Sequence, residues 1–581
     1  MKKNWKPLIG LFVFIIGSTL TVGCRDATTG GRVTTHRAEF VVVGGGGAGF
    51  STGVMLALAG RDVVVIEQAE MTGGNTATAG SVVSAPNPHR QLLLDMAPLE
   101  VAYIENVLTM NFAHPLVRQW QNTLRTEWAA HRAGPNRDRL FDSPSLHKLQ
   151  TFVEGDQIGL PELIDHLDGA LDALKWIEDL GAVWLNDAGG GGGGGQATRT
   201  PVAGPILGPG QITAIIGSMW RRAHTADVRN FPGRNGNNFF MPQEREFLRV
   251  DGRLFLEHKA DTIILDEGRA VGVSGTIAGG GRFEALASRA VIIATGGFGA
   301  NPDMLEAHNP RGRHGPGSEI TGRGWINEGK WPDLSDPRVG HTNRPWIDGS
   351  GLMMAARAGA NLVNMEQVQL LAFGAVPGQV LDNTIFISHE GRRYVNETGR
   401  RDETAVAAFR VLGTFDLPPG APRTGRFFAF GNLSEGVNRA ALPNDQFVGT
   451  TAQIGNWVHP ADASAAAAFT ANLNGAITAF NASRLGAADA FGRQVFDQPL
   501  AGPDFFINAR VSGPVVHHTM GGIDVDRDFR VISVTGPVIP QLYAVGEAIG
   551  VFHGTNRLGS NAITEVITLG RRLGEMLNDK Y

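Results

Sequence analysis

Residues 41–49 read Val-Val-Val-Gly-Gly-Gly-Gly-Ala-Gly, an apolar β-branched run that ends in glycines. This pattern is typical of the strand, turn and helix that open a dinucleotide-binding fold. Gly44 allows the tight turn, Gly46 lets the backbone approach a pyrophosphate, and Gly49 lets the helix pack against the sheet. A second β-branched run ends at Glu67, which is placed to accept a hydrogen bond from a ribose hydroxyl. We therefore predict a dinucleotide site near the N-terminus.

The composition is that of a large globular protein. The chain has 581 residues, of which 42% are hydrophobic, enough for several domains and a sizeable core. The net charge is −5 without a long run of one sign, so no nucleic-acid partner is expected. Cys24 is the one cysteine, which excludes intrachain disulfides, cysteine-ligated iron–sulfur clusters and C-x-x-C-H haem attachment. We therefore expect the electron donor to be a separate redox protein.

The first residues resemble an export signal. Three lysines precede the apolar run 8–16, which is too short to span a bilayer comfortably, and small residues follow it. Residues 21–24, Thr-Val-Gly-Cys, resemble a bacterial lipoprotein cleavage box, although Thr21 stands where leucine is usual. We predict a leader and linker over 1–36 and a protein that is periplasmic or anchored to a membrane by a lipid on Cys24. An ordinary secretory signal with an incidental cysteine is the alternative.

Apolar periodicity predicts several further elements. Leucine and isoleucine recur every three or four residues from Leu163 to Leu180, and the pattern ends at Gly181, which predicts one amphipathic helix. From Phe255 onward, short apolar runs alternate with turns, which predicts a β-meander. Residues 290–293 predict a buried strand whose following glycines bring backbone next to a ligand.

Seven motifs in a single order resemble the flavoprotein family of fumarate reductases and succinate dehydrogenases, particularly its soluble, exported branch that includes flavocytochrome c. Besides the first strand with Glu67, the motifs are Gly73-Gly74-Asn75, residues 294–298, residues 348–351, Asn396-Glu397 with Arg401-Asp402, residues 517–522, and Gly546-Glu547 with residues 556–562. The resemblance covers residues 40–573 and implies an α/β fold. It implies a Rossmann-like, GR2-type FAD-binding domain over 37–364 and 513–581, and an inserted α+β capping domain over 365–512 that meets it at the active site.

The resemblance also implies that FAD is the cofactor. No histidine lies between Gly73 and Ser84, where membrane-bound relatives tether the flavin, so we expect noncovalent binding. Glu547 matches the family's contact to the ribityl chain, and the helix that begins near Ser560 would direct its N-terminus at the pyrimidine edge of the flavin. The residues expected to hold FAD are Gly44, Gly46, Gly49, Glu67, Gly73, Gly74, Asn75, Thr76, Gly80, Ala260, Thr295, Gly296, Asp348, Glu547, Ser560, Asn561 and Ala562.

Three residues match the family's catalytic positions. In these reductases hydride reaches the β-carbon of an α,β-unsaturated acid while an arginine protonates the α-carbon, and cationic side chains hold the carboxylate. The resemblance implies that His517 and Arg557 form this clamp and that Arg401 is the proton donor. An alternative for Arg401 is a surface ion pair with Asp402 or Glu397. Neighbouring Arg400 leaves a one-residue ambiguity, which the Arg-Asp landmark resolves in favour of Arg401.

The chain departs from the fumarate reductases after residue 369. The His-Pro-Thr that grips a second carboxylate is replaced by residues 370–373, Leu-Leu-Ala-Phe, and the following stretch lacks the Glu and Arg of the usual proton relay. Asp382, Glu390 and Asp402 are the candidates to fill that relay. An apolar wall opposite a single clamp predicts a monocarboxylic enoate such as a methacrylate, cinnamate or urocanate. We expect an external electron donor such as a c-type cytochrome, and no metal site.

Other functions stay open from the residues alone. A dehydrogenase of the 3-ketosteroid type would share the flavin domain, but such enzymes rely on tyrosines, and the chain has only Tyr103, Tyr394, Tyr543 and Tyr581. An amino-acid oxidase is compatible with the clamp and with Arg401. A surface-anchored flavin carrier would bind no organic substrate.

Overall fold

The structure, a computed structural model, describes most of the chain after the predicted leader. It describes residues 33–80, 82–185, 203–208, 212, 215, 217–227, 231, 236–308, 340–371, 384–412, 427–433, 442, 444, 446–493, 499–508 and 515–581. Cys24, residues 372–373 and Asp382, on which predictions were made, lie outside these ranges, as does the side chain of Asp402. None of the helices in these ranges is long and apolar enough to cross a membrane.

Strands and helices are numbered in chain order. The strands are β1 (Val33–Val43), β2 (Val63–Ile66), β3 (Val82–Ser84), β4 (Trp184–Leu185), β5 (Ala203–Gly204), β6 (Ala223–Thr225), β7 (Arg253–Phe255), β8 (His258–Asp266), β9 (Arg269–Ile277), β10 (Arg282–Ile293), β11 (Leu362–Val363), β12 (Val368–Leu371), β13 (Thr384–Ser388), β14 (Phe427–Asn432), β15 (Gln446–Gly449), β16 (Phe505–Asn508), β17 (Val515–Thr519), β18 (Gly522–Ile523), β19 (Arg530–Ile532) and β20 (Val538–Ala544). The helices are α1 (Gly47–Leu58), α2 (Pro88–Gln91), α3 (Pro98–Thr109), α4 (Pro115–Ala133), α5 (Pro144–Glu154), α6 (Pro161–Ile164), α7 (Ala170–Asp179), α8 (Asn237–Arg249), α9 (Pro302–His308), α10 (Ser350–Arg357), α11 (Arg401–Leu412), α12 (Thr451–Val458), α13 (Ala463–Arg484) and α14 (Asn561–Lys580).

The core is an eight-stranded sheet with the path β19-β20-β10-β1-β2-β7, to which β8 and β9 are joined through β10. Its central strands β2, β1, β10 and β20 are parallel, and Val43, Ile293 and Ala544 lie side by side where three of them end. Helices α1 and α14 pack closely, because a Cβ on Gly570 would lie only 2.8 Å from the carbonyl oxygen of Ala48. The parallel sheet confirms the predicted α/β fold. It also brings the carboxyl ends of the strands to one edge, where such sheets bind ligands.

Two local predictions have different outcomes. The β-meander is confirmed, because β8, β9 and β10 pair in antiparallel order. The single helix predicted up to Leu180 is wrong: a 3₁₀ segment, Asp165–Gly169, separates α6 from α7. Lys148 donates to Asp165 at 2.9 Å and forms an ion pair with Asp168 at 2.7 Å, so a tertiary contact with α5 holds this segment. Periodicity alone does not reveal such a contact.

A second sheet, with the order β13-β14-β16-β15, lies in the region predicted to cap the FAD-binding domain. It is antiparallel, and α12 and α13 contribute to its own hydrophobic core. The buried residues of this core include Ile385, Phe428, Phe430, Ile454, Phe469, Leu473, Phe480 and Ile507. The exact domain boundaries stay a prediction. The pair of strands β12 and β17 lies at both predicted boundaries and places Gln369 opposite His518.

Candidate active site

A cleft with about 740 Å³ of empty space, part of it open to solvent, lies where β1, β10 and β20 end. The predicted FAD residues that line it are Gly44, Gly46, Glu67, Gly74, Asn75, Thr76, Ala260, Thr295, Gly296 and Glu547. Sequence reasoning missed Gln68, Trp346 and Ile347, which also line the cleft. The Gln68 amide donates to the carbonyl oxygen of Trp346 at 2.7 Å. Long-range contacts such as this one and the hydrogen bond from the Arg344 N–H to Asn75, which leave no local signal in the sequence, bring the Trp346 segment to the cleft.

The cleft has the features that FAD requires. Gly44 adopts a φ of +111°, and a Cβ there would lie 2.3 Å from the carbonyl oxygen of Ala294. At Gly46 and Gly74 a Cβ would meet no atom closer than 4.0 Å, so the missing side chains leave space along the cleft wall. The hydroxyl of Thr295 is buried and has no hydrogen-bond partner among the described residues. With the N-terminus of α1 beside this space, the walls fit a pyrophosphate and its nucleosides.

Glu67 follows β2 and lies in this cleft, with its carboxylate folded onto the glycine turn. Its two oxygens accept hydrogen bonds from the backbone N–H groups of Gly45 and Ala69, both at 2.8 Å. Burial raises the pKa of Glu67, and the backbone N–H groups oppose this rise. The predicted contact from Glu67 to a ribose hydroxyl stays a prediction.

Seven predicted FAD residues do not line the cleft: Gly49, Gly73, Gly80, Asp348, Ser560, Asn561 and Ala562. Gly49 supports the turn from behind, because a Cβ there would lie 2.0 Å from the carbonyl oxygen of Gly44. Asp348 accepts from the N–H of Ser350 at 2.9 Å at the start of α10 and pairs with Lys259. The Asn561 side chain is bound to α5, at 2.9 Å from His147 Nε2 and 3.1 Å from Thr151 Oγ1. Gly49, Asp348 and Asn561 thus support the backbone around the cleft rather than line the cleft itself.

The three predicted catalytic residues come together from distant parts of the chain. Arg401 is the first residue of α11, His517 lies on β17, and Arg557 lies in the loop before α14. Burial, and then the charge of Arg557, lowers the pKa of Arg401 well below its ordinary value. Burial and the charges of both arginines likewise lower the pKa of His517, whose Nδ1 lies 2.7 Å from Thr342 Oγ1. The structure thus concentrates buried positive charge at one place.

Gln369 connects the two arginines, a role that sequence reasoning missed. Its Oε1 accepts from Arg401 Nη1 at 3.2 Å, and its Nε2 donates to the backbone carbonyl of Arg557 at 2.6 Å. The pairing of β12 with β17 carries Gln369 to this position. Two donors at this place are buried and unpaired: Arg557 Nε and the side-chain nitrogen of Asn556 form no hydrogen bond with the described part of the chain.

Neighbouring side chains separate Arg401 from the alternatives raised by its sequence. Arg400 is held by Asp156, with Nη1–Oδ1 and Nη2–Oδ2 distances of 2.9 and 3.2 Å. Glu397 binds Arg393 and Arg493 in a buried network of the capping region rather than Arg401, whereas the alternative pairing of Arg401 with Asp402, whose side chain is outside the described part, stays a prediction.

The proton-relay prediction also needs a correction. Glu390 is exposed and lies 3.6 Å from Arg392 in the turn after β13. It therefore does not belong to the buried arginine cluster.

Glu547 joins the cleft to this cluster. It accepts from the N–H of Thr519 at 3.1 Å and from Asn75 Nδ2 at 3.3 Å, and burial raises its pKa to about 7. Its Oε1 lies 3.5 Å from Nδ1 of His518. The carboxylate is therefore placed between the predicted cofactor and the arginines.

Behind Glu547 lie three buried side chains, His518, His553 and Glu565, whose ligand-type atoms are all within 4.8 Å of one another. His553 Nε2 lies 2.9 Å from a Glu565 oxygen. Burial and the charge of Arg557 lower the pKa of both histidines. The same positive charge opposes a bound cation, so the group is best described as a hydrogen-bonded network.

The four tyrosines lie in other surroundings. Tyr103 donates to Glu154 at 3.1 Å among the helices, and Tyr394 lies near Glu397 in the capping region. Tyr543 on β20 accepts from Lys580 at 2.6 Å next to the C-terminal residue, Tyr581. No tyrosine thus contributes a recorded hydrogen bond to Arg401, Arg557 or His517 in the described residues.

Comparison with known proteins agrees with these features. The chain matches the model of the FAD binding domain family FAD_binding_2 over residues 39–125 and 128–563. It is 27% identical to the NADH:acrylate oxidoreductase of Vibrio harveyi, over 94% of this chain and 51% of that protein. It is 25% identical to the fumarate reductase (cytochrome) of Shewanella frigidimarina, over 92% of this chain and 76% of that protein. It is also 25% identical to the urocanate reductase of Eggerthella lenta, over 93% of this chain and 74% of that protein. The chain therefore spans about half the length of the first relative and about three quarters of the other two.

Two solved structures resemble this fold at 19% identity. One is the open conformation of a flavocytochrome c3 fumarate reductase, with a TM-score of 0.55 and coverage of 94% of this chain and 78% of that one. The other is the 3-ketosteroid-delta4-(5alpha)-dehydrogenase of Rhodococcus jostii RHA1, with a TM-score of 0.58 and coverage of 95% and 99%. At this identity both likenesses show the fold alone. The family match, which covers most of the chain, shows that the chain belongs to the FAD binding domain family, and the glycine-lined cleft and the relatives named as reductases agree with this assignment.

Proposed function

We propose that the chain reduces the carbon–carbon double bond of an α,β-unsaturated monocarboxylate, acting on a CH–CH group. The observation that carries this proposal is the cluster of the buried Arg401 and Arg557 with the half-buried His517 next to the FAD cleft. Burial lowers the pKa of Arg557 to about 10, even though Glu547 and Glu565 favour its charged form. Two guanidinium groups that disfavour each other's charge gain from an anion between them. A substrate carboxylate supplies that anion.

The geometry of the donors also fits a carboxylate. Arg557 Nε and the Asn556 side-chain nitrogen are buried and without protein partners in the part of the chain that the structure describes. Leaving buried donors unpaired is costly, so a ligand that accepts from both is favoured. A carboxylate offers two acceptor oxygens, and arginine binds it well through its planar fork. His517, held by Thr342, adds a third polar group to the clamp.

Arg401 is proposed to deliver the proton. FAD, when bound, supplies the hydride for such a reduction. The lowered pKa of Arg401 makes its guanidinium a stronger acid than a solvated one, which suits it to general acid catalysis. Gln369 accepts a hydrogen bond from one N–H group of Arg401 and limits the orientations that the Arg401 side chain can adopt.

A monocarboxylate is favoured over fumarate by the sequence after Gln369. The two residues that follow, Leu370 and Leu371, are buried apolar side chains of β12. No histidine occurs between residues 369 and 382 to hold a second carboxylate. The relatives named for acrylate and urocanate show that this family includes reductases named for monocarboxylic substrates.

We propose that a separate redox protein, such as a c-type cytochrome, delivers the electrons. Support comes from the single cysteine of the sequence, which excludes a cysteine-ligated iron–sulfur cluster and a C-x-x-C-H haem site in it, and from relatives named for NADH or cytochrome. Export of the protein, with a lipid on Cys24 as its anchor, belongs to the same proposal and rests on the N-terminal sequence.

Anaerobic reoxidation of the dithionite-reduced, FAD-loaded protein tests this function. We expect acrylate, methacrylate, crotonate, a cinnamate or urocanate to restore flavin absorbance faster than fumarate does. Arg401→Ala should slow the reaction by about 10³-fold, within the range for a general acid. Arg253→Ala is the matched control, because Arg253 is an exposed residue paired with Asp62. Faster reoxidation by fumarate than by every monocarboxylate would contradict the pocket argument, and an unaffected Arg401→Ala would contradict its role.

A further inference from the structure

The turn that follows α5 touches both segments that carry the candidate catalytic arginines. Asp156 lies in this turn, two residues beyond the end of the helix. One of its carboxylate oxygens accepts from Arg400 Nη1 at 2.9 Å. The other accepts from Arg400 Nη2 at 3.2 Å and from Thr555 Oγ1 at 2.5 Å. Arg400 precedes Arg401, and Thr555 stands two residues before Arg557.

The backbone of the turn also contacts the segment that precedes Arg557. The N–H of Thr555 donates to the carbonyl oxygen of Gly155 at 3.2 Å. A Cβ on Gly155 would lie 2.4 Å from the carbonyl oxygen of His553, and one on Gly554 would lie 2.0 Å from that of Gly155. The two segments therefore approach at backbone distance. A movement of the turn is transmitted to the residues before Arg557.

The turn has a backbone conformation that requires support. Asp156 and Gln157 have φ values of 54° and 61°, in the left-handed region that residues with a side chain seldom occupy. Such strain persists where surrounding contacts determine the conformation, and it clusters at functional sites. Here those contacts are the ion pair with Arg400 and the hydrogen bond from Thr555.

We propose that Asp156 is a positioning residue that fixes Arg401 relative to Arg557, and this inference rests on the proposed function. The carboxylate ties the start of α11 to the return segment, while α5 is bound to the start of α14 through Asn561. One rigid unit thus contacts both arginine-bearing segments. The Arg400 side chain is only 2% exposed, and the carboxylate of Asp156 helps to offset the cost of burying its positive charge. Loss of that carboxylate weakens the hold on Arg400, and through the shared backbone it loosens the position of the adjoining Arg401.

The test is the exchange Asp156→Asn in the full-length, FAD-loaded protein. Asparagine has the same shape, tolerates the left-handed backbone, and keeps one oxygen that accepts from Thr555, so the change acts mainly on Arg400. A misplacement near 1 Å costs about 10²-fold in rate. We expect kcat for enoate reduction to fall by about that factor, with KM and FAD content nearly unchanged. Asp95→Asn is the matched control, because Asp95 forms an exposed pair with Arg139 at 2.7 Å.

Hydrogen exchange supplies a readout that does not depend on activity. The amide of Thr404 donates to the carbonyl oxygen of Arg400 at 3.0 Å, at the start of α11. In Asp156→Asn we expect faster exchange in the peptide that contains this amide and no change within α14. If the variant does not fold, Thr555→Val removes the second contact and should accelerate exchange in the same peptide around residue 404 and, in addition, around residue 555.

The outcomes separate this inference from the proposed function. If the unaltered protein reduces no enoate, the proposed function fails, and exchange alone decides whether Asp156 holds the two segments. If the unaltered protein is active and Asp156→Asn keeps its kcat, the positioning role is overturned. Unchanged exchange in Asp156→Asn, or the same change in Asp95→Asn, overturns it as well.

Discussion

Replacing Gly217 by alanine should damage catalysis through Arg401. Gly217 has a φ of +71°, and a Cβ at this position would lie 2.5 Å from Cγ of Arg401 and 3.2 Å from its Cδ. Carbon atoms in contact prefer about 3.5–4.0 Å, so the new methyl group must push the two residues apart by roughly 1 Å. The carbonyl oxygen of Gly217 accepts from the N–H of Gly559 at 2.7 Å, which prevents the glycine from simply moving away. We expect the Arg401 side chain to move instead.

The expected magnitude follows from this displacement. A shift of about 1 Å in a catalytic group costs about 10²-fold in rate, or about 2.7 kcal/mol in the activation barrier. The left-handed backbone adds about 1–2 kcal/mol of folding cost for any residue with a side chain, which lowers stability but not the rate per folded molecule. The two effects are therefore separable by measuring both the melting temperature and the rate.

The assay is stopped-flow reoxidation of the reduced, FAD-loaded protein at saturating enoate. Gly268→Ala is the matched control, because Gly268 has a φ of +79° in the turn between β8 and β9 and a Cβ there meets no atom within 4 Å. Both variants should lose stability through the left-handed backbone, Gly217→Ala more because of its clash, and only Gly217→Ala should lose rate per folded molecule. The reasoning is refuted if Gly217→Ala keeps the rate within about threefold, or if the control loses as much.

Two further predictions concern the FAD cleft. Burial raises the pKa of Glu547 from 4.5 to about 7, so the folded FAD-free protein binds this proton more tightly than the unfolded chain. The free energy of unfolding of the FAD-free protein should therefore fall by about 3 kcal/mol as pH rises from about 4.5 to 7. Glu547→Gln should remove this contribution, which urea unfolding at several pH values measures. An unaltered dependence of the unfolding free energy on pH in the variant would contradict the argument. Gly44→Ala should weaken FAD binding by about 10- to 100-fold, measured by fluorescence titration, because its Cβ would strike the carbonyl of Ala294. Gly60→Ala, with a φ of +79° and open space around it, is the control, and equal affinities in both variants would show that the clash is relieved elsewhere.

The FAD-binding fold was predictable because its signals are local. Gly44, Gly46 and Glu67 belong to one strand, turn, helix and strand, so their spacing along the chain already implies their arrangement in space. The β-meander was predictable for the same reason, since adjacent strands joined by short turns pair with each other. The family motifs extended the prediction to Glu547 and Arg557 at the far end of the chain.

The arrangement of the arginines depended on contacts across the fold. Arg400 and Arg401 are neighbours with the same side chain, and tertiary contacts distinguish their surroundings, with Asp156 beside Arg400 and Gln369 beside Arg401. The pairing of β12 with β17 places Gln369 beside the arginines. Gly217 lies against Arg401 because its loop packs on that side chain.

The sequence by itself determined the flavin fold, the cofactor and the residue types of the proposed carboxylate clamp. Local spacing and motif order carry this information, because the residues concerned act through the backbone elements on which they stand. Only the tertiary structure decided which side chains hold the clamp in place and where the predicted helix ending at Leu180 breaks. Those outcomes depend on contacts such as Asp156 with Arg400 and Lys148 with Asp165, whose partners are brought together by packing rather than by a repeating pattern.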